Sequence, residues 1–381
     1  MTNNRKFLYP SIYHLPMNTD CWEKNENNTK QATIYGIKIR VTAVDSFRVR
    51  FCFWQNMNNI IKYGSIAAIP LYNCSAHTPE EWSAKDGVQR PIAGIIEMTY
   101  GTVISLLYIP MISVMLENDQ FKMSCYKIMS FLTLIDIFAL TVNSIITGFL
   151  SYHGAVYCTY PNLIYISGMA GLGLWCCSCI IAMILVTNRL LDLMCPSVGV
   201  FLFDGNRTFL ILTLPIIYGM YFVFFTTPIA FTSKYMTWFF DPLIFEGRTL
   251  EYSNFPHFFN NILVVAVTCC LYMIFCCALG AKLKNVDAGS AAQKSSSKIF
   301  YQSAMICAVN QLASVIYVSM NFIEVPFWLI VLGHVLWELG HGAPAIIYMN
   351  FNKTIRNGVL RKLGFKVRFI WDIRTSLSIF F

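Results

Sequence analysis

Long runs of apolar residues, separated by short polar stretches, dominate the chain from residue 92 onward. A bilayer core of about 30 Å needs about 20 apolar residues in a helix that rises 1.5 Å per residue. Seven nearly charge-free windows reach that length: residues 92–116, 126–150, 162–187, 208–231, 258–281, 299–321 and 325–350. Because these runs are continuous and do not alternate in polarity, they predict membrane-spanning helices and not barrel strands.

Composition and charge agree with this pattern. Of the 381 residues, 56% are hydrophobic and 13% are charged, whereas about 25% are charged in soluble domains. These values exclude most soluble folds and also intrinsic disorder. The net charge of +8 comes from a scarcity of acidic residues and not from a dense basic face, so we expect no nucleic-acid partner.

The placement of Lys and Arg predicts the orientation of the bundle in the lipid bilayer. The loops after the odd-numbered windows, together with the tail from Phe351, contain fifteen basic residues, whereas the loops on the other side contain two. The positive-inside rule therefore places the N-terminus outside. We predict three regions: an extracellular segment 1–91, an all-α seven-helix bundle 92–350 and a cytoplasmic tail 351–381.

The tail begins with an amphipathic pattern. Phe351, Ile355, Val359 and Leu363 recur every four residues, and basic residues occupy the other faces. This spacing predicts a helix that lies on the inner leaflet with its basic side chains at the lipid headgroups.

Four of the fourteen cysteines fall on the predicted outer side. They are Cys21, Cys52, Cys74 and Cys158. We expect a Cys74–Cys158 disulfide that ties the N-terminal segment to the mouth of the third helix; free thiols, or an exchange with the other two cysteines, are the alternatives. Sequons at Asn73 and Asn27 are candidate glycosylation sites on the same side.

Ionisable residues inside the apolar windows are costly in lipid and are therefore candidates for function. Asp136 lies in the second window, and His334, Glu338 and His341 share one face of the seventh. We expect Asp136 to pair with His341, in an intramembrane polar switch that includes Glu338. The alternative is a metal-dependent intramembrane hydrolase that uses these four residues. Since the chain has no second Glu-x-x-His motif, we favour a protein without enzymatic activity or cofactor.

Several motifs together resemble the G-protein-coupled receptors. Leu132 and Asp136 match the Leu-x-x-x-Asp of the second receptor helix, and Asn188-Arg189-Leu190 stands where Asp/Glu-Arg-Tyr ends the third. Pro344 and Tyr348 stand where Asn-Pro-x-x-Tyr ends the seventh, with the tyrosine one position late. A neutral asparagine replaces the acid before the arginine, so the usual ion pair of the resting state cannot form there.

The sequence is more similar to the nematode chemosensory group called serpentine receptor class T, from about residue 57 to residue 364. The matching residues are Tyr72-Asn73-Cys74-Ser75 with Trp82, Asn188-Arg189 with Asp192, and His341-Gly342 before Pro344. In that class the chain begins near Met57, so residues 1–56 look like an atypical extension.

This resemblance implies a chemoreceptor of the plasma membrane, placed by its family in sensory cilia. It implies a small-molecule ligand in the outer half of the bundle and a heterotrimeric G protein inside. The coupling switch would consist of Asn188, Arg189, Asp192, Pro344 and Tyr348. Asp192, one turn after Arg189, would substitute for the missing acid.

Overall fold

The computed structural model describes residues 30–34, 37–41, 59–283, 291–323 and 325–365. Strands β1 (Lys30–Ile34) and β2 (Ile37–Val41) form an antiparallel pair. The predictions that concern Asn27, Cys21 and Cys52 lie outside the described residues.

Seven long helices form the body of the protein, which confirms the predicted seven-helix bundle. They are α1 (Pro91–Met115), α2 (Ser124–His153), α3 (Pro161–Met194), α4 (Arg207–Phe225), α5 (Phe255–Leu283), α6 (Ala291–Ser319) and α7 (Phe327–Phe351). Six are long and apolar enough to cross a membrane, and the apolar part of α6, Ala304–Ser319, is shorter. A further short helix, α8 (Lys353–Lys362), follows α7.

Successive helices run in alternating directions, so the bundle has two distinct ends. The disulfide end holds the start of α1 and the loop between α2 and α3. The tail end holds the start of α2 and the whole of α8. Prolines at the first helical position begin both α1 and α3, where the missing N–H would have no intrahelical partner.

Three predicted helix boundaries are wrong. The sixth window, 299–321, begins late because α6 starts at Ala291. The fourth window, 208–231, overshoots because α4 ends at Phe225. Pro228 follows shortly afterwards and cannot continue a helix, and the apolar residues after it form strand β3 (Ala230–Thr232). The third window ends at residue 187, whereas α3 continues to Met194, so Arg189 lies within the helix and not at its end.

Helix α2 contains an irregular segment that its sequence pattern does not predict. Residues Thr141–Ile146 adopt a π-helical turn between two α-helical parts, Ser124–Leu140 and Thr147–His153. A π-turn accommodates an extra residue and so rotates the side chains that follow it around the helix axis. Asn143 and Ser144 within it are fully buried.

Helix α3 lies at the centre of the bundle. Most of it is buried and it packs against α2, α4, α5 and α6, whereas α1 and α5 expose most of their surface. Small residues permit this close packing. A Cβ atom on Gly173 of α3 would lie 2.9 Å from the carbonyl oxygen of Gly219 in α4.

Short elements cover the disulfide end. Strand β3 pairs with β4 (Thr237–Phe239) in an antiparallel hairpin that packs against α2 and α3. Before α1, the short helix Pro79–Asp86 begins with a capping box in which the Thr78 side chain accepts from the Glu81 N–H.

The amphipathic pattern of the tail forms α8, which packs on the bundle. Its buried Ile355 and Val359 belong to the same apolar core as α1, and its Gly358 lies against Val114. The Asn352 side chain caps the helix by accepting the Ile355 N–H.

Candidate functional site

A cavity of about 260 Å³ opens at the disulfide end between α3, α5, α6, α7 and the β3–β4 hairpin. Its volume lies just below the range of about 300–1,000 Å³ that is usual for drug-sized ligands, so it suits a smaller molecule. Nine of its 21 lining residues are Phe, Tyr or Trp, including Trp175, Trp238, Phe240, Phe258, Tyr317 and Trp337.

Few polar groups face this cavity, and several already have partners. The Asp241 carboxylate accepts hydrogen bonds from the Leu243 N–H and the Thr249 hydroxyl, at 2.8 and 2.6 Å. The His257 ring packs against Phe240 and lies 3.3 Å from the Asn261 amide nitrogen. The cavity therefore offers mainly apolar and aromatic contacts to a ligand.

Trp175 connects this cavity to the interior of the bundle. Its ring lines the cavity, and its Nε1–H donates to the Asn261 side chain at 3.1 Å. The ring also packs edge-on against His341, with 6.1 Å between the ring centres. A ligand that displaces Trp175 would therefore change the packing of His341.

His341 and Asp136 form a buried pair between α7 and α2. The Nδ1 atom of His341 lies 2.8 Å from an Asp136 carboxylate oxygen, and both side chains are 1% exposed. Tyr108 of α1 adds to the pair, because its hydroxyl donates to the His341 carbonyl at 2.7 Å and lies 3.4 Å from the second Asp136 oxygen. Three helices thus meet at one hydrogen-bonded group.

The four residues of the hydrolase alternative do not form one cluster. His334 and Glu338 lie nearer the disulfide end of α7, where their side chains face Glu97 of α1 and not Asp136. Seven residues of helix separate His334 from His341, a rise of about 10 Å, so a shared helix face does not bring them to one ion. The proposed metal set is therefore wrong, and Glu338 does not belong to the Asp136–His341 pair.

At the tail end, Asn188 and Arg189 occupy different environments. Asn188 is fully buried and its amide donates to the Ser124 hydroxyl at the start of α2, at 3.0 Å. Arg189 is half-buried and its guanidinium lies 3.9 Å from the Met129 sulfur. Asp192 is exposed and lies near enough to Arg189 for electrostatic interaction, but within the described ranges the two make no salt bridge of 4 Å or less. The proposed substitution of Asp192 for the missing acid thus has no direct contact in this structure.

Pro344 and Tyr348 are both buried in the part of α7 nearer the tail end. Pro344 has no N–H, so it leaves the carbonyl of Gly340 without its usual intrahelical donor. The Tyr348 hydroxyl has no hydrogen-bond partner among the described residues and lies near enough to Arg189 and Asp136 for electrostatic interaction. Tyr348 thus lies between the buried pair and the tail end.

A disulfide between Cys74 and Cys158 joins the segment before α1 to the loop before α3. Around it the Tyr72 ring packs against the rings of Tyr157, Tyr165 and Tyr252. Burial raises the pKa of the Tyr72 phenol well above its usual value, so Tyr72 stays neutral. The neighbouring sequon residue Asn73 is exposed.

An exposed ion-pair cluster holds α8 to the bundle. Glu117, in the turn after α1, contacts Arg361 at 3.0 Å and Lys362 at 3.2 Å. The hydrogen bond from Lys362, followed by that from Arg361, lowers the pKa of Glu117 from 4.5. Glu117 therefore keeps its negative charge under all but acidic conditions.

Three important residues escape sequence reasoning. Tyr108 and Trp175 are aromatic residues in apolar windows and look like ordinary packing residues, while Glu97 lies near the end of its window, where a charge is cheap. For Glu97 a signal exists, because it interrupts an otherwise uncharged run. Tyr108 and Trp175 become recognisable only through their contacts.

Comparison with known proteins agrees with this architecture. The sequence profile of the family described as "Serpentine type 7TM GPCR chemoreceptor Srt" matches residues 59–370. A relative, "Serpentine receptor class T-55" of Caenorhabditis elegans, is 29% identical over 294 residues, which cover 77% of this chain and 80% of the relative. The chain is thus a multi-pass membrane protein that belongs to the serpentine receptor class T family of seven-transmembrane chemoreceptors.

Proposed function

We infer that this chain is a chemosensory receptor that binds small, largely apolar molecules in the aromatic cavity and signals to a heterotrimeric G protein at the tail end. The observation that carries this proposal is the double contact of Trp175. Trp175 lines the cavity, and its ring also packs against His341 of the buried pair.

The character of the cavity supports the class of ligand. Aromatic walls stabilise small apolar molecules by burial and ring contacts. The few polar groups orient the ligand more than they add to its affinity. A molecule with an aromatic or alkyl body and a single polar group fits this chemistry.

The buried pair supports a mechanism of population shift. Asp136, His341 and Tyr108 join three helices, so a ligand that changes the Trp175 position favours one packing of α7 over another. In this proposal α6 moves away from Arg189 and opens a crevice at the tail end. Pro344 lies in α7 between the Asp136–His341 pair and the tail end, and it weakens the α7 backbone where the helix has to bend.

The tail end offers a surface for a protein partner. The short helix Pro196–Phe203, just after α3, exposes Val200 and Phe201, which are 62% and 67% exposed. Arg189 and Asp192 lie on the preceding helical turns. Exposed apolar side chains beside charged ones are typical of docking surfaces.

The basic residues concentrate at this same end, and we propose that it faces the cytoplasm. Residues 1–91 are then extracellular, residues 92–350 form the bundle, and residues 351–381 form the cytoplasmic tail that contains α8. Asn73 and the disulfide lie outside the cell in this orientation, as their chemistry requires. The plasma membrane of sensory cilia is the proposed location, by analogy with the chemoreceptor family.

Replacement of Arg189 tests the coupling role. Cells that express the chain with a calcium or cAMP reporter are screened against volatile and soluble small molecules to find an activator. We expect Arg189→Ala to reduce the maximal response at least about tenfold while the amount of receptor at the cell surface stays unchanged.

Lys122→Ala is the matched control, because Lys122 is an exposed basic residue at the same end of the bundle. Its response should equal that of the wild type. An Arg189→Ala variant that reaches the surface and responds fully would contradict the coupling role.

A further inference from the structure

A second polar group lies near the disulfide end, between α1 and α7, and has no part in the proposed signalling path. It consists of Glu97 from α1 and of His334 and Glu338 from α7. One nitrogen or oxygen atom of each residue lies within 4.8 Å of such an atom of the other two. The His334 Nε2 atom lies 3.9 Å from Glu338 Oε1.

These side chains are buried but poorly satisfied. Glu97, His334 and Glu338 are 8%, 1% and 7% exposed. Across the described part of the chain, both His334 ring nitrogens, Glu97 Oε2 and Glu338 Oε1 find no hydrogen-bond partner of good geometry. Looser polar contacts join His334 to the Asn143 backbone, Glu97 to Ser151 and Glu338 to Ser144. Buried polar atoms are rarely left unpaired, because their loss of hydration is not repaid. Four unpaired atoms that converge from two helices indicate a missing partner.

We propose that Glu97, His334 and Glu338 bind a divalent transition-metal ion of the zinc class, which joins α1 to α7. Two carboxylates and one neutral imidazole balance the ion's two positive charges, so the assembled site carries no net charge into the low-dielectric interior. The imidazole nitrogen favours zinc over calcium or magnesium, which prefer oxygen ligands alone.

The geometry requires a small closure of the side chains. Zinc bonds to nitrogen and oxygen are about 2.0–2.2 Å long, so tetrahedral ligand atoms lie about 3.4 Å from one another. The present separations are longer, up to 4.8 Å. Rotation about the terminal torsions of the two glutamates moves their oxygens by the required distance and leaves the helices in place. Three protein ligands leave the fourth position for a water molecule or another oxygen.

The π-helical segment of α2 lies beside this group and contacts both α1 and α7. The Ser144 hydroxyl donates to the Glu97 carbonyl at 2.6 Å, and the Asn143 amide donates to the Trp337 carbonyl at 3.4 Å. The Asn143 Oδ1 atom is buried and has no hydrogen-bond partner among the described residues. Single π-turns occur often at functional sites, where they redirect side chains toward a ligand. This backbone irregularity is independent evidence that the location is specialised.

The ion would connect α1 to the wall of the ligand cavity. His334 packs edge-on against Trp337, with 5.8 Å between the ring centres, and Trp337 lines the cavity. The inference does not depend on the proposed coupling to a G protein, because its readout is bound metal and not signalling. The simpler alternative to a metal ion is a proton bound to one carboxyl. The experiment below distinguishes the bound ion from the bound proton.

Metal analysis of the purified full chain tests the proposal. The protein is purified in detergent through a tag without histidine, loaded with zinc chloride, desalted and measured by mass spectrometry of the metal. We expect about one zinc ion per wild-type chain. Glu97→Gln, Glu338→Gln and His334→Ala should each lower zinc affinity at least about tenfold.

Two further variants guard against misfolding and surface binding. His334→Cys supplies a thiolate, so zinc should be retained where His334→Ala loses it. His77→Ala removes a surface histidine that has the same spacing, four residues before Glu81, and zinc content should not change. Added zinc should also raise the unfolding temperature of the wild type but not of Glu97→Gln.

Three results would overturn the proposal. The first is a wild-type chain that holds no zinc after loading, which would assign the group to a bound proton. The second is a folded Glu97→Gln or His334→Ala variant with the affinity of the wild type. The third is displacement of the bound zinc by an equal concentration of magnesium, which would indicate unspecific binding to carboxylates.

Discussion

Helix α7 presents two groups of polar side chains on one face, and they differ in how fully their atoms are paired. In the group nearer the tail end, His341 Nδ1 lies 2.8 Å from Asp136 and Tyr108 completes the contacts. In the group nearer the disulfide end, His334 lies 3.9 Å from Glu338 and has only a loose contact with the Asn143 backbone, with no hydrogen bond of good geometry to any described residue. Both histidines are equally buried, at 1% exposure.

This difference shows that burial and residue type do not decide what a polar residue does in the membrane. The Asp136–His341 group is paired through Nδ1 of the histidine, while His341 Nε2 has no hydrogen-bond partner among the described residues. Its internal pairing joins helices, so its function is expressed through changes in packing. An unpaired group has the same chemistry but lacks a partner within the chain. An ion or ligand from outside the chain is then the candidate partner. The predictions below test this distinction, from the largest expected effect to the smallest.

Removal of one member of the Asp136–His341 pair should have the largest effect. His341→Ala leaves Asp136 as a buried carboxylate without its partner, which should lower the free energy of unfolding by about 3–5 kcal/mol. Unfolding in mixed detergent micelles measures this loss. Asp136→Asn in the same chain removes the stranded charge and should restore a large part of the stability. A double variant as unstable as His341→Ala alone would show that the loss comes from packing and not from charge.

Removal of one member of the unpaired group should have a smaller effect that depends on metal. In the presence of a chelator, His334→Ala removes an unsatisfied group and creates a small cavity, so the free energy of unfolding should change by less than about 1 kcal/mol. With zinc at about 100 times its dissociation constant, only the wild type should gain about 2.7 kcal/mol. Parallel unfolding curves with chelator and with zinc measure this difference. An equal gap between wild type and variant in both conditions would remove the distinction between the two groups.

The exposed ion pairs of α8 should show the smallest effect and serve as a reference outside the membrane. Glu117→Gln should lower stability by about 0.5 kcal/mol, because water and salt screen exposed pairs. The pKa of Glu117 is lower in the folded protein, so its contribution is present above pH 4.5 and is lost as the pH falls through the folded value. Hydrogen exchange of α8 amides at neutral and acidic pH measures this change.

Asp119→Asn is the control for that experiment. Asp119 lies near Glu117 but is 89% exposed and reaches Lys122 at 3.8 Å without touching α8. Its replacement should leave the exchange of α8 amides unchanged. A pH dependence that persists in Glu117→Gln would assign the effect to another acid.

The sequence is sufficient for most of the helical fold. Apolar windows reveal the helices because long runs without alternation satisfy their backbone in lipid as helices and not as barrel strands. The contact of Asp136 with His341 follows from the cost of isolated charges there. Hydropathy alone could not place the end of α4, since an apolar strand such as β3 and the end of a helix look alike. Small residues let α3 pack closely at the centre of the bundle, as Gly173 does against Gly219 of α4.

The candidate sites were less predictable because they depend on which helices are neighbours. Glu97 joins His334 only when α1 packs beside α7, a fact that spacing within one helix cannot supply. The π-turn at Thr141–Ile146 also changes which α2 side chains face α7, so a regular helical wheel misplaces Asn143. The aromatic cavity is formed partly by the loop before α5, whose aromatic residues resemble interfacial anchors.

The disulfide also sets an order of events during synthesis. Cys74 and Cys158 are separated by 84 residues, so at about 5–20 residues per second the second cysteine is made about 4–17 seconds after the first. In the proposed orientation, Asn73 enters the oxidising compartment early in that interval, while its neighbour is still a free thiol. A sugar on Asn73 would thus be attached to an open chain, before the disulfide closes the segment over the disulfide end of the bundle.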